Sequence, residues 1–419
     1  MKAVAVFAVL VMAFGAWWII NAPPSFIHIG PKLELDAVSQ TVLEVTSKED
    51  VVRTSSSRTA PTLPGYDEVI LYEDRGEAYA TSTDGWIWKI DLVAGTASRF
   101  VDVPLMAAGA RRDPSDENRI YFCASYLYGA TYPKGERVGL YQLDLQSRAV
   151  TPVVLAVPKV EGIGGAPRVF PDGAGPISRD ILHSGKISRA LAFCNDLDVS
   201  GDGQRIYFTE PFAYENASMG GGGTYREAVS MGQNGFVWQY DRTEKAVSLV
   251  AQNYTFPDGI LVEDNGAESE ESLLVAETIK FQIQRLILRG NRAGQSEIVQ
   301  QNLPAMPDGL DRDANGTIWV GMIKQRSSTV DWIHRNPWIK HLLLRLPHTM
   351  MPVSRETSYM ALSQDAATPL FYSVHDGSVL TEISVVIPGR DRLFLATVGH
   401  DSRGLYSVPY PEGLKPPTQ

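Results

Sequence analysis

The chain has 419 residues, a formal net charge of −10 and a sequence pI near 5.3. So acidic a balance argues against a nucleic-acid partner, which needs a basic face. Two cysteines, Cys123 and Cys194, are too few for a disulfide-stapled scaffold or a thiolate zinc centre.

The first stretch, Ala3 to Ala22 (AVAVFAVLVMAFGAWWIINA), carries no charge. At 1.5 Å per residue it has the length to cross ~30 Å of hydrocarbon. Trp17 and Trp18 sit near its far end, where an aromatic belt belongs. A cleaved signal peptide is the rival reading. Pro23 and Pro24 follow the best small-residue site directly, which favours a retained single-pass signal anchor over residues 1–31. The bulk of the chain is then expected on the non-cytoplasmic side: periplasm, lumen or exterior. Residues 32–60 read as a linker, within which LELDAVSQTVLEV offers a strand that could close a ring.

From there the chain repeats. EAYATS (77–82), RIYFCAS (119–125), RIYFTEP (205–211), LLVAET (273–278), TIWVGM (317–322) and RLFLAT (392–397) share a short apolar run ending on a small residue. That residue is Ala80, Cys123, Thr209, Ala276, Gly321 or Ala396, and it suits close packing of neighbouring sheets. A second strand follows several of them, as in GWIWKIDL (85–92) and GFVWQYD (235–241). The pattern predicts an all-β, six-bladed β-propeller over 61–411, with a tail at 412–419. Insertions fall at 155–190, 212–232 and 325–350. The last, containing STVDWIHRNPWIKHLLLRLP, reads as an amphipathic helix that covers a mouth, touches a membrane or packs on a blade edge.

The starts of the channel-lining strands carry the chemistry. Glu68, Asn195, Asp258, Asp308 and Glu382 fall at comparable blade positions, and blade two offers Arg111 and Arg112 instead. Carboxylates gathered in a confined channel repel one another, and a cation resolves that cost. An all-oxygen set suits Ca²⁺. The expected metal ligands are therefore Glu68, Asn195, Asp258 and Asp308. Against this, PDG at 257–259 and 307–309 is also a turn signature. Asp84, Asp202 and Asp376 also precede glycine and read as turns.

At these residues the chain resembles a known family. CNDLDVSGDGQRIYFTEP and the run from FPDGILVEDN to MPDGLDRDANGTIWVGM are similar to the strictosidine synthase-like family. HRNPWIKHLLLRLP looks most like its adipocyte plasma membrane-associated protein branch. The resemblance implies a six-bladed propeller related to paraoxonase and gluconolactonase-like calcium-dependent hydrolases. It carries the metal motif to Glu68, Asn195, Asp258 and Asp308. Asp258 and Gly309 depart from it, since relatives often have Asn at the first position and an Asp-Asn pair at the second. Glu382 in TEISVV matches the general base of the condensing enzyme that gives the family its name. His400 in ATVGHDSRG is the second candidate catalytic residue.

The expected activity is hydrolysis of a small-molecule ester or lactone at the propeller mouth. A non-catalytic binding propeller with a structural ion, and a condensing lyase using Glu382, are the alternatives. Cys123 and Cys194 come from neighbouring blades, so a disulfide and a pair of buried thiols are both open. Glycosylation sequons stand at Asn216, Asn253 and Asn315.

Overall fold

A computed structural model describes residues 2–21, 29–30, 32–214, 217–264, 271–350 and 354–417. Antiparallel four-stranded meanders succeed one another along the chain. The first runs from Tyr66 to Asp102, the second from Met106 to Val154, and the third from Leu197 to Tyr254. The fourth spans Pro257 to Gln300 and the fifth Ala305 to His375. The sixth takes three strands from Ile383 to Pro409, and its outer strand is Ser57–Thr59, paired with Leu405–Ser407. One bridge, Tyr66 to Thr397, links the first and sixth meanders. Each meander's first strand packs on the first strand of the next, and the sixth packs on the first, so the inner strands close a ring. This is an all-β, propeller-like fold. The core lies between the sheets, where Phe122, Phe208, Trp238 and Trp319 are fully buried.

The repeating apolar runs are the second strands. Their small terminal residues do what the pattern anticipated: several touch the first strand of the following meander. Cys123 forms a disulfide with Cys194. The Thr209 hydroxyl donates to the Asp258 carbonyl at 2.8 Å. Gly321 leaves no space for a side chain beside the Ser384 carbonyl.

Two expectations for the N-terminal region are corrected. Helix α1 (Lys2–Asn21) forms, but among the described residues no helix is long and apolar enough to cross a membrane. Nor is 32–60 a free linker. It holds the short helices α2 (Gln40–Glu44) and α3 (Val51–Ser55), whose Val42 and Val52 are fully buried. The ring-closing strand is Ser57–Thr59, whereas TVLE within LELDAVSQTVLEV is helical because Val42 and Thr46 turn back onto the fifth meander's edge.

The 212–232 and 325–350 insertions join second to third strands and so gather at the end of the ring where the first strands begin, whereas the 155–190 insertion adds Arg168–Ser178 as a fifth strand on the outer edge of the third sheet. The third meander contributes α4 (Gly222–Ser230). The fifth contributes α5 (Ser328–Arg335) and α6 (Pro337–Leu343), broken where Pro337 opens the second helix. They interlock: Tyr225 donates to the Leu343 carbonyl at 2.9 Å, Tyr128 N–H to the Met219 carbonyl at 3.0 Å, and the Tyr128 ring meets His348 edge-on at 4.7 Å.

Candidate metal centre in the channel

The inner strands share an irregularity. Against their second strands, five of the six shift register near their start, between Tyr66 and Glu68, Ala107 and Ala110, Pro257 and Ile260, Pro307 and Leu310, and Ile383 and Val386; the third meander's Leu197–Val199 pairs without a shift. A bulge re-aims the residues it releases. The released residues are the lining of one small cavity: Asp67, Gly109, Asp258, Asp308, Gly309, Ser384 and Val385, joined by Glu68 and by Asp196 from the third meander. Its volume of ≈ 10 Å³ is on the scale of a single water. PDG is therefore not a turn here. Both copies lie within strands, Pro257–Asp264 and Ala305–Arg312. Their glycines are needed because Gly259 abuts the Asp308 backbone and Gly309 abuts Val385.

The carboxylates in this cavity come from different meanders. Asp258 and Asp308 are buried and within hydrogen-bond reach of each other. The Asn195 side-chain amide donates to Asp258, as does the Thr278 hydroxyl at 3.1 Å. Burial and then the Asp258 and Asp196 charges push the Asp67 carboxyl far above the carboxylate range. Burial and then the Asp258 charge do the same to Asp308, and burial dominates the rise at Asp258. Burial also lifts Asp196, to about 6, although Ile260 and Leu197 N–H groups donate to it at 3.0 and 2.8 Å.

Of the expected ligands, Asn195, Asp258 and Asp308 are brought together. Glu68 is not aimed with them. The bulge turns Asp67 into the cavity, and the carboxylate of Glu68, which also borders it, is taken by the Arg111 guanidinium. Sequence reading missed Asp67 because a one-residue shift of a first strand has no signature in YDEV.

Glu382 lies just before the sixth meander's bulge. Its φ is +57°, and its carboxylate pairs with Lys324 at 2.7 Å. Ser384, two residues on, donates to the Asp67 carbonyl at 2.8 Å, so Glu382 stands at the rim of the acidic cavity. His400 occupies an exposed turn in the 398–404 connection and makes no hydrogen bond with the cavity residues.

A separate trio, Asp50, His375 and Asp376, has its ligand-type atoms within 4.8 Å of one another. It is a fastening. His375 Nε2 accepts the Val379 and Leu380 N–H groups at 3.0 and 3.3 Å, so the ring proton sits on Nδ1 and is donated to Asp50 at 2.9 Å. Asp376 caps its own turn through Ser378 N–H. Of the sequons, Asn253 is buried and uses its amide on the 162–166 loop, Asn315 lies exposed in a turn, and Asn216 is outside the described residues.

No protein-family model matches the chain. It is similar to adipocyte plasma membrane-associated proteins. The Danio rerio protein is 34% identical over 163 residues, which cover 38% of this chain and 37% of that one. The Homo sapiens protein is 30% identical over 215 residues, 49% and 50% of the two chains. Strictosidine synthase-like protein 10 of Arabidopsis thaliana is 26% identical over 175 residues, 42% and 44%. The chain thus spans half or less of the length of these curated relatives. Among solved structures, a gluconolactonase from Xanthomonas campestris superposes with a TM-score of 0.50 at 14% identity, covering 91% of this chain and 98% of that one. At that identity the likeness concerns the fold alone.

Proposed function

We propose that the chain is a six-bladed propeller hydrolase that binds Ca²⁺ at Asp67, Asp258 and Asp308 with Asn195, and cleaves small esters or lactones at the capped mouth. One observation carries the reading. Bulges in the inner strands of the first, fourth and fifth meanders deliver three carboxylates to one ion-sized cavity, with no lysine or arginine bonded to any of the three among the described residues. Buried carboxyls so crowded must hold protons or share a cation, and their all-oxygen donor set fits a hard ion. A bound divalent ion supplies electrophilic polarisation of a carbonyl oxygen. The chain's own part is to orient that oxygen over the cavity, to exclude water with the interlocked insertions, and to hold a carboxylate at the rim in Glu382.

A condensing reaction with Glu382 as base is the second reading. It is favoured by the left-handed backbone at Glu382, a conformation a glutamate adopts at a cost, and by Lys324, whose amine pairs with the carboxylate at 2.7 Å. Membrane association fits the exposed apolar surface of α1, where Phe7, Leu10, Phe14 and Trp17 point outward. The test is metal analysis of the purified protein together with an aryl-ester and lactone panel, with and without chelator. A metal-free protein with no turnover overturns the proposal.

A further inference from the structure

Below the acidic cavity lies a second ring of oxygens, already filled by the chain itself. Arg111 and Arg112 are adjacent on the second meander's inner strand, and the strand alternation parts them. Arg112 turns outward, its guanidinium 5.2 Å from the Tyr72 ring centre. Arg111 turns into the channel. It donates to the Glu68 carboxylate of the first meander, to the Leu310 carbonyl of the fifth at 2.8 Å, and to its neighbour's Ala110 carbonyl at 3.0 Å. Its Nε lies 3.6 Å from Asp198 of the third meander. Asp311 of the fifth and Asp196 of the third add their negative fields.

This environment resembles the coordination of a hard cation more than a surface ion pair. Carboxylates and carbonyls from several chain segments converge on one positive centre. Asp198 and Asp311 are each further held by backbone N–H groups, Asp198 by Val199 and Val262 and Asp311 by Arg312, at 2.7 to 2.8 Å. Their positions are thus fixed independently of Arg111. The carboxylates outnumber the guanidinium, so the layer as a whole remains hungry for positive charge.

We infer that Arg111 is the built-in cation of a lower channel site. It occupies a place that would otherwise take a divalent ion, so the channel carries a single exchangeable ion, stacked above a guanidinium that cannot leave. The inference builds on the Asp67–Asp258–Asp308 reading for the upper ion but has its own readout. Ca²⁺ is titrated into the chelator-stripped full chain by calorimetry, with bound metal counted by elemental analysis. Wild type is expected to bind one ion per chain, Arg111→Met two, and Arg111→Lys one. Adding Asp198→Asn and Asp311→Asn to Arg111→Met returns the count to one. Wild type binding two ions, or folded Arg111→Met still binding one, overturns the inference. If wild type binds none and Arg111→Met binds one, the lower-site inference stands and the upper-ion reading fails. Should Arg111→Met not fold, the wild-type count decides: one ion supports the inference and two overturn it.

Discussion

Cys123 and Cys194 are joined across the second and third meanders, and the bond lands one residue ahead of Asn195. The Ser125 hydroxyl brackets the same spot, donating to the Cys194 carbonyl at 2.7 Å and accepting its N–H at 2.9 Å. The link closes a sequence separation of 71 residues, and a disulfide typically contributes about 2–4 kcal/mol. Replacing both cysteines by serine should lower the melting temperature. It should also shrink the further rise produced by Ca²⁺, because Asn195 loses its tether. Thermal melts of both proteins, with and without Ca²⁺, read this; a double variant that melts like the parent refutes it.

How the stability responds to pH follows from the crowded carboxyls. The folded-state values of Asp67, Asp258 and Asp308 are raised, the first to about 8. A carboxyl raised on folding contributes stability that is complete below its unfolded value, near 3.8, and is lost as pH climbs through the folded value. Metal-free protein should therefore weaken steadily from pH ~4 to pH ~8. Ca²⁺ should reverse the trend, adding most at the alkaline end, where the carboxylates are free of protons. At a thousandfold excess over Kd the gain is about 4 kcal/mol. Melting curves across that range with chelator or Ca²⁺ measure it. A flat profile in chelator, equal to that in Ca²⁺, removes the cation site.

The ring, its strand order and the convergence of Asn195, Asp258 and Asp308 were legible because they rest on periodic features. The apolar runs with small termini mark second strands, and the polar residues ahead of the first strands recur at blade spacing. The bulges were not legible. A register shift is set by how one strand seats against its neighbour, as Gly259 does against Asp308, and leaves no local composition behind. That is why Glu68 stood in for Asp67. The closing strand escaped for a related reason. Ser57–Thr59 is three exposed residues with no apolar alternation, held by backbone pairing and by the Arg58 guanidinium 5.9 Å from the Tyr406 ring centre. The Asp50–His375 contact joins residues 325 apart and has no sequence motif.

Truncation should separate what is dispensable from what closes the ring. Deleting 1–30 leaves Val42, Val52, Asp50 and Ser57–Thr59 in place and should yield a folded domain. Deleting 1–60 removes the outer strand of the sixth meander and the Asp50 acceptor of His375. It should give an insoluble or strongly protease-sensitive product. Within the longer form, Asp50→Ala leaves a buried imidazole N–H unpaired, at a cost of about 1–3 kcal/mol. Limited proteolysis and melting curves distinguish these outcomes; a 1–60 deletion as resistant as the 1–30 deletion contradicts the closure described.

Catalysis divides the readings through Asp308 and Glu382. If a cation in the bulge cavity polarises the substrate carbonyl, Asp308→Asn removes a ligand charge. Esterase or lactonase activity should then fall together with Ca²⁺ affinity, and excess Ca²⁺ should restore part of it. Glu382→Gln should cost less, because a rim carboxylate outside the ligand set leaves the ion in place; the Lys324 amine then loses its 2.7 Å partner and chiefly alters KM. If Glu382 is instead the base of a condensation, the order reverses. Loss of a positioned base costs about 10²–10⁴-fold in kcat, chelator does little, and the pH profile loses its acidic limb. His400→Ala should be silent in either case, since the residue sits in an exposed turn. Parallel measurement of kcat, KM and bound metal for the three variants decides between them. Activity indifferent to chelator yet abolished by Glu382→Gln would reject the metal-dependent hydrolase.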